Sequence, residues 1–270
     1  TVRGSTYVMT GNIVVGQGIS FDGNYNDPLL LNNTTTLTGN ITTLANVQGI
    51  FLRGLYTDNN NITINGDILG TAQYGHGIEL SFQANNNTIN LNGNLSTNGS
   101  DADGILATSY ANDSTINVVG NISTQGDRSH GINFYQFQTD NITTVTGNIS
   151  TSGDNAHGII LDDWYNDRNN FTVNGNITTN DVTAYGIKIY SNSDDNVINV
   201  NGNINNPSSG YAIHIDSTSD NNTIYLNRGN IAGSFYNDGS NNKIFFNGLG
   251  ESGSYIFTTE GASAFLLTDS

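Results

Sequence analysis

Asp162 and Asp163 are adjacent carboxylates, and a carboxylate pair is what a glycosidase uses to protonate a leaving group and activate water. Two further segments fit that chemistry. Gly75-His76-Gly77 is a Gly-His-Gly, and Gly186-Ile187-Lys188-Ile189 is loosely similar to the Arg-Ile-Lys segment of pectin-degrading enzymes. In those enzymes the carboxylate pair precedes the Gly-His-Gly by about one coil of the fold; here it follows three coils later, and the arginine is missing. A calcium-assisted lyase would instead need clustered aspartates and a base that removes the proton α to a uronate carboxylate. Asp162, Asp163, Asp167, Arg168 and Lys188 form the set for that reaction. With 7 Lys+Arg against 23 Asp+Glu, and a net charge of -16, the chain repels anionic polymers. The expectation is that no residue is catalytic; a pectate lyase-like polysaccharide-degrading or polysaccharide-binding chain is the alternative.

Metal chemistry has two candidate places. His76, His130 and His157 share one repeat position, which elsewhere holds Gln48, Asp103, Tyr185 and Tyr211 and so reads as a solvated turn. Asp127 and Asp154 stack beside Asp101 and Asp103, where crowded like charges would be relieved by a cation. Calcium is the single cofactor this suggests, and no residue is assigned as a metal ligand. The aromatic residues give the preferred ligand patch. Tyr110, Phe137 and Trp164 follow one another at equal intervals, with Tyr135, Tyr165 and Tyr190 nearby and Asp162 and Asp163 on the edge. Such rings either cover a corner by stacking on one another or present a platform to sugar or protein.

These residues recur because the whole chain repeats. A Gly-Asn/Asp-Ile/Leu triplet begins at Gly11, Gly39, Gly66, Gly93, Gly120, Gly147, Gly175, Gly202 and Gly229, a nearly constant step that marks a repeat architecture. Before each triplet comes an alternating segment such as Thr88-Ile89-Asn90-Leu91-Asn92; after it comes a Gly-Ile block such as Gly104-Ile105 or Gly131-Ile132. Each repeat therefore holds three short strands and no helix. The spacing predicts an all-β, right-handed parallel β-helix of about nine coils, each of roughly 27 residues, the hand following from the crossover rule. Its length would be roughly 40 to 45 Å. Residues 1–270 form one domain on this reading, with regular coils over about 10–232. A shortened last coil lacking one side and a cap or continuation, which includes Tyr255-Ile256-Phe257 and Phe265-Leu266-Leu267, would occupy 233–270.

Interior columns can be read directly, for example Ile62, Ile89, Ile116, Thr143, Phe171 and Ile198 on the first side, or Ile78, Ile105, Ile132, Ile159, Ile187 and Ile213 on the third. Asn40, Asn94, Asn121, Asn148, Asn176 and Asn203, with Asp67, fall one residue after the anchor glycine and predict a structural amide ladder. The outward residues of the first side, among them Thr63/Asn65, Asn90/Asn92, Thr144/Thr146 and Asn199/Asn201, make a flat Thr/Asn array of the type seen in ice-binding solenoids, a minor alternative.

Composition limits the partners. The acidic balance argues against nucleic acid, the absence of cysteine excludes disulfides and thiolate metal sites, and no apolar run reaches the ~18 to 20 residues of a membrane span. Thr1-Val2-Arg3-Gly4 lacks a signal-peptide core, so any export signal is expected outside this sequence. The phrases Thr146-Gly147-Asn148-Ile149-Ser150-Thr151-Ser152-Gly153-Asp154-Asn155-Ala156-His157-Gly158-Ile159 and Val119-Gly120-Asn121-Ile122-Ser123-Thr124-Gln125-Gly126-Asp127 resemble passenger repeats of bacterial autotransporters over about residues 10–250. The resemblance implies an exported β-helix at the bacterial cell surface or in the extracellular medium, with a structural or adhesive role. Its partners would be a host or neighbouring-cell surface protein or glycan, or a second copy of itself through the open ends of the rod.

Overall fold

Strict alternation puts one half of every strand inward. In Thr88–Asn92, Ile89 and Leu91 are buried while Asn92 is exposed; the short strand Leu95–Thr97 buries both ends, and Ile105–Thr108 buries Ile105 and Ala107. The computed structural model describes residues 2–3, 5–15, 18–22, 30–55, 57–206, 210–227 and 229–247. Equivalent strands of successive coils pair in parallel and in register, Ile89 lying between Ile62 and Ile116. One ten-stranded and two nine-stranded sheets result, stacked along a common axis, with a small Val2–Arg3 and Leu30–Leu31 pair beside them. This is the three-sided parallel β-helix that the repeat predicts. The predicted columns fill its interior: Ile62, Leu91, Ile122, Phe134, Val173 and Ile213, among others, are essentially inaccessible to solvent. At roughly 1.5 to 3 kcal/mol for each large aliphatic side chain, this stacked core is the main stabilising contribution.

The anchor triplet works by close approach. Gly147 has φ +153°, and a Cβ there would collide with the carbonyl oxygen of Gly120 one coil below. The asparagine that follows bridges coils: the Asn148 N–H donates to Asn121 Oδ1 at 2.9 Å, Asn121 to Asn94 at 3.0 Å, and Asn94 to Asp67 at 2.7 Å. Asn176 and Asn203 extend the same ladder, each bond 2.8 Å, and Asn40 serves Asp67 in the same way. The predicted ladder is present, and it lies in solvent.

A second ladder is buried. Asn33, Asn60, Asn87, Ser114, Asn141, Asn169, Asn196, Asn222 and Asn242 occupy the corner before the first sheet, each 5 % exposed or less. Every one follows a residue with positive φ, such as Asn59, Asp140 or Asn221, which turns the next side chain under the corner. Their oxygens accept the N–H of the preceding coil, as in Asn60 N to Asn87 Oδ1 at 2.9 Å and Asn169 N to Asn196 Oδ1 at 2.9 Å. Ser114 interrupts the run, because its hydroxyl takes the Asn87 N–H but leaves the buried Asn87 Nδ2 without a partner. Replacing Ser114 by the asparagine of the neighbouring coils is expected to stabilise the protein by about 1 kcal/mol, read as a rise in the urea midpoint.

The end of the repeat differs from expectation. The last coil keeps all three sides, Thr223–Asn227, Ile231–Ala232 and Ser234–Asn237, before Lys243–Asn247 begins the next turn. What shortens is a corner: Gly233 alone, at φ +131°, turns the chain where residues 125–131 do so in a regular coil. The expected cap around Tyr255-Ile256-Phe257 and Phe265-Leu266-Leu267 lies outside the described residues.

Candidate functional site

The outer surface of the third sheet carries most of the residues with chemical potential. In Ile132–Tyr135 and Ile159–Asp162, alternate side chains fill the core and the others point outward, so Tyr135 lies beside Asp162 of the next coil. Each strand then enters a corner through residues in the left-handed region. Two suffice at Ser109-Tyr110, Gln136-Phe137 and Ser191-Asn192, whereas Asp163, Trp164 and Tyr165 make three, with φ of 56°, 81° and 55°. The backbone ladder identifies the extra residue. Gln136 N–H donates to the Asp162 carbonyl and Phe137 N–H to that of Trp164, passing over Asp163. Trp164 therefore stands where Gln136 and Ser109 stand in their own coils, and the insertion accounts for the longer step from Gly147 to Gly175.

That insertion corrects the aromatic column. Tyr110 stacks on Phe137 with centroids 4.6 Å apart and planes 2° from parallel, but the third ring is Tyr165, 5.9 Å beyond Phe137. Trp164 is displaced from the stack and stands 57 % exposed. Beside it a polar cluster is fixed by its own bonds. Asp163 Oδ2 accepts from Gln136 Nε2 at 2.6 Å, and Asp162 Oδ1 accepts from the Asp163 N–H at 2.8 Å. The negative charge of Asp163 beside Tyr135 raises that phenol above its usual range. Tyr190, one coil on, has the Lys188 ammonium over its ring at 4.9 Å, with Tyr185 at 5.6 Å. Of the candidate patch, Asp162 and Asp163 are joined by hydrogen bonding with Tyr135 beside Asp162 in register, Tyr110, Phe137 and Tyr165 cluster by stacking, and Trp164 flanks both. Gln136 is a member that the residue types did not single out; the insertion of Asp163 after Asp162 brings that carboxylate within reach of its amide.

The lyase set does not converge on one point. The Arg168 guanidinium forks onto Asp140 at 2.9 and 2.7 Å, in the corner before the first sheet, and Asp167 accepts the Asp194 N–H at 2.9 Å. Lys188 is on the outer face of the third sheet, pairing in register with Ile160 and His214.

The histidine column is not a solvated turn. His76 and His157 are buried and His130 half-buried, because the side chains fold over the third sheet and bridge coils. His76 Nδ1 accepts the Asp103 N–H, Asp103 Oδ1 the His130 N–H, His130 Nδ1 the His157 N–H and His157 Nδ1 the Tyr185 N–H, at 2.7 to 3.0 Å. The His130 and His157 rings stack at 4.8 Å, and the row continues through Tyr185, His214 and Tyr236. Burial lowers the imidazoles to about 4 for His76, about 3 for His130 and about 2 for His157, and pushes the Asp103 carboxyl up to about 7. Neutral imidazoles with Nδ1 as acceptor carry their proton on Nε2.

Near the aspartates suggested for calcium, Asp101 is engaged by Arg128 in a forked pair at 2.7 and 2.8 Å, and Asp127 accepts the Asp154 N–H at 3.2 Å. Among the described residues no group of three or more His, Cys, Asp or Glu side chains is placed to hold a metal ion. On the first sheet the outward amides bond to one another, Asn92 to Asn65 at 2.8 Å and Asn201 to Asn174 at 2.7 Å, and exposed Val119 and Ile142 interrupt the array.

The fold and its corners define the class: a three-sided parallel β-solenoid held between coils by side-chain ladders, a framework that fits a structural, adhesive or carbohydrate-interacting protein. No family model, curated protein or solved structure matches the chain. Among the described residues no helix is long and apolar enough to cross a membrane.

Proposed function

We propose that this chain is a non-catalytic, passenger-like rod, displayed on a bacterial surface or secreted, that acts as a structural or adhesive module. The observation that carries this reading is where the reactive side chains are used. The imidazole Nδ1 atoms of His76, His130 and His157 hold backbone N–H groups of neighbouring coils, and Arg128 and Arg168 are committed to Asp101 and Asp140. To serve as a general base or a uronate-binding cation, any of these histidines or arginines would have to be withdrawn from the bonds that join the coils. Long parallel sheets that extend by adding identical coils are suited to projecting a surface away from its anchor.

The test is incubation of the purified protein with polyuronates and neutral polysaccharides, reading ultraviolet absorbance for unsaturated products and reducing ends for hydrolysis. In parallel, retention on cell-coated surfaces and light scattering measure adhesion and self-association. The expected result is no turnover together with adhesion or concentration-dependent multimers. Turnover that disappears in Lys188→Ala or Asp163→Ala would overturn the reading in favour of a polysaccharide-degrading enzyme.

A further inference from the structure

We propose that the Asp162–Tyr165 corner is a binding site for a neutral pyranose unit of a glycan, with the Trp164 indole as its stacking surface and Asp162 and Asp163 as acceptors for its hydroxyls. The site rests on the adhesive reading above and gives it a ligand class.

Its starting point is an insertion that the fold does not need. Corners at 109–110, 136–137 and 191–192 close with two left-handed residues, and the ring stack on Phe137 is continued by Tyr165 without help from Trp164. The third residue nevertheless places three consecutive side chains, one of them a tryptophan at φ 81°, in a region that bulky residues avoid. The inserted Asp163 adds a second carboxylate next to Asp162, while the indole, at the place that Gln136 and Ser109 hold in their coils, stands outside the stack and 57 % exposed. Phe82 also lies in a left-handed corner, in an earlier coil, and there the Arg53 guanidinium covers the ring at 4.4 Å. Among the described residues no cation is seated over Trp164.

The polar half of the site is preorganised. Gln136 Nε2 fixes Asp163, and the Asp163 N–H fixes Asp162. A carboxylate has about four lone-pair sites, so these bonds leave acceptors for further donors. A pyranose matches this arrangement: one face of C–H groups for the indole, and hydroxyl donors around its rim for carboxylates, which form charge-assisted bonds. The sign of the charge selects among sugars. Two carboxylates on a chain of net charge -16 repel uronates and sulfated glycans, and the nearby Lys188 is turned onto Tyr185 and Tyr190.

Trp164 is the single tryptophan of the chain, so its emission reports this corner alone. The experiment titrates the full protein with hexaoses of β-glucan, mannan, xylan and galactan, with polygalacturonate and chitosan oligomers as charged controls. A saturable emission change with at least one neutral hexaose and none with polygalacturonate is expected. By calorimetry, Trp164→Ser and Asp163→Asn should each weaken binding by about tenfold or more. Ser109 and Ser191 occupy the equivalent corner place, so Trp164→Ser should keep the wild-type thermal unfolding curve.

No saturable response to any neutral hexaose overturns the proposal, as does undiminished affinity in Trp164→Ser or a response confined to the cationic chitosan oligomers. Self-association that Trp164→Ser abolishes, with no sugar response in the parent protein, also overturns it and assigns the corner to a protein contact. If the parent protein adheres to cells without any sugar response, the site fails while the adhesive reading stands.

Discussion

Asn196→Ala is expected to destabilise the protein by roughly 3 to 4 kcal/mol, whereas Asn148→Ala should cost only about 1 kcal/mol, although both residues belong to asparagine ladders. Asn196 is fully buried; its Oδ1 accepts from the Asn169 N–H at 2.9 Å and Asn169 Nδ2 at 3.2 Å, and its Nδ2 donates to the Asn166 carbonyl at 2.6 Å and Asn222 Oδ1 at 3.0 Å. Truncation strands several of these groups away from water. Asn148 makes its bond at an exposed corner, where water replaces the lost amide. Urea unfolding followed by circular dichroism is the measurement. Because solenoid coils are coupled chiefly to their neighbours, the Asn196 variant should show an early partial transition rather than a uniform shift.

This contrast marks how far the sequence was legible. The core columns and the anchor ladder follow from counting alone, since alternation along each strand and the near-constant step between anchor glycines are both visible in the residue order. Asn60, Asn87 and Asn196 carry the same periodic signal just ahead of the first interior column, yet an asparagine in a turn reads as solvent-facing. Its burial is decided by the left-handed residue before it, such as Asn59, Asn86 or Asp195. The histidines were misread for a related reason: a polar side chain at a corner can fold back over the sheet and find an N–H of the next coil. At the candidate site the residue types were visible, but carrying the regular interval through Trp164 missed the insertion that the longer Gly147–Gly175 step records.

The second large effect is on acid stability. His76, His130 and His157 have native values of about 4, 3 and 2 against an ordinary 6.5, so their contribution is complete above pH 6.5 and is lost as pH falls toward those native values. Protonation at Nδ1 removes the acceptor on which the next coil depends. Asp103 acts in the opposite sense: raised to about 7 by burial, its contribution is present below 3.8 and is lost as pH rises through 7. Burial also raises the Glu79 carboxyl and lowers the His214 imidazole, but among the groups shifted furthest three histidines outweigh one carboxyl, so the melting temperature is expected to drop between pH 6.5 and 4. His130→Asn or His157→Asn keeps an acceptor in the δ position, as Asp103 already does, and removes the titration. Each should flatten the pH dependence of stability by about 1.4 kcal/mol per pH unit in that window, measured by denaturant unfolding across a pH series.

The Ser114 step in the buried ladder also bears on how such a rod fails under load. Hydrogen bonds between coils run along the long axis, so a pull on the two ends loads successive interfaces in series, and the rupture force is that of the weakest interface. Between the coils of Asn87 and Ser114 one buried amide has no partner, while the step from Asn169 to Asn196 carries two side-chain bonds in addition to the sheets. Stretched from its ends, the protein should part first at Ser114 and release two shorter solenoids, each with its own stacked core still closed.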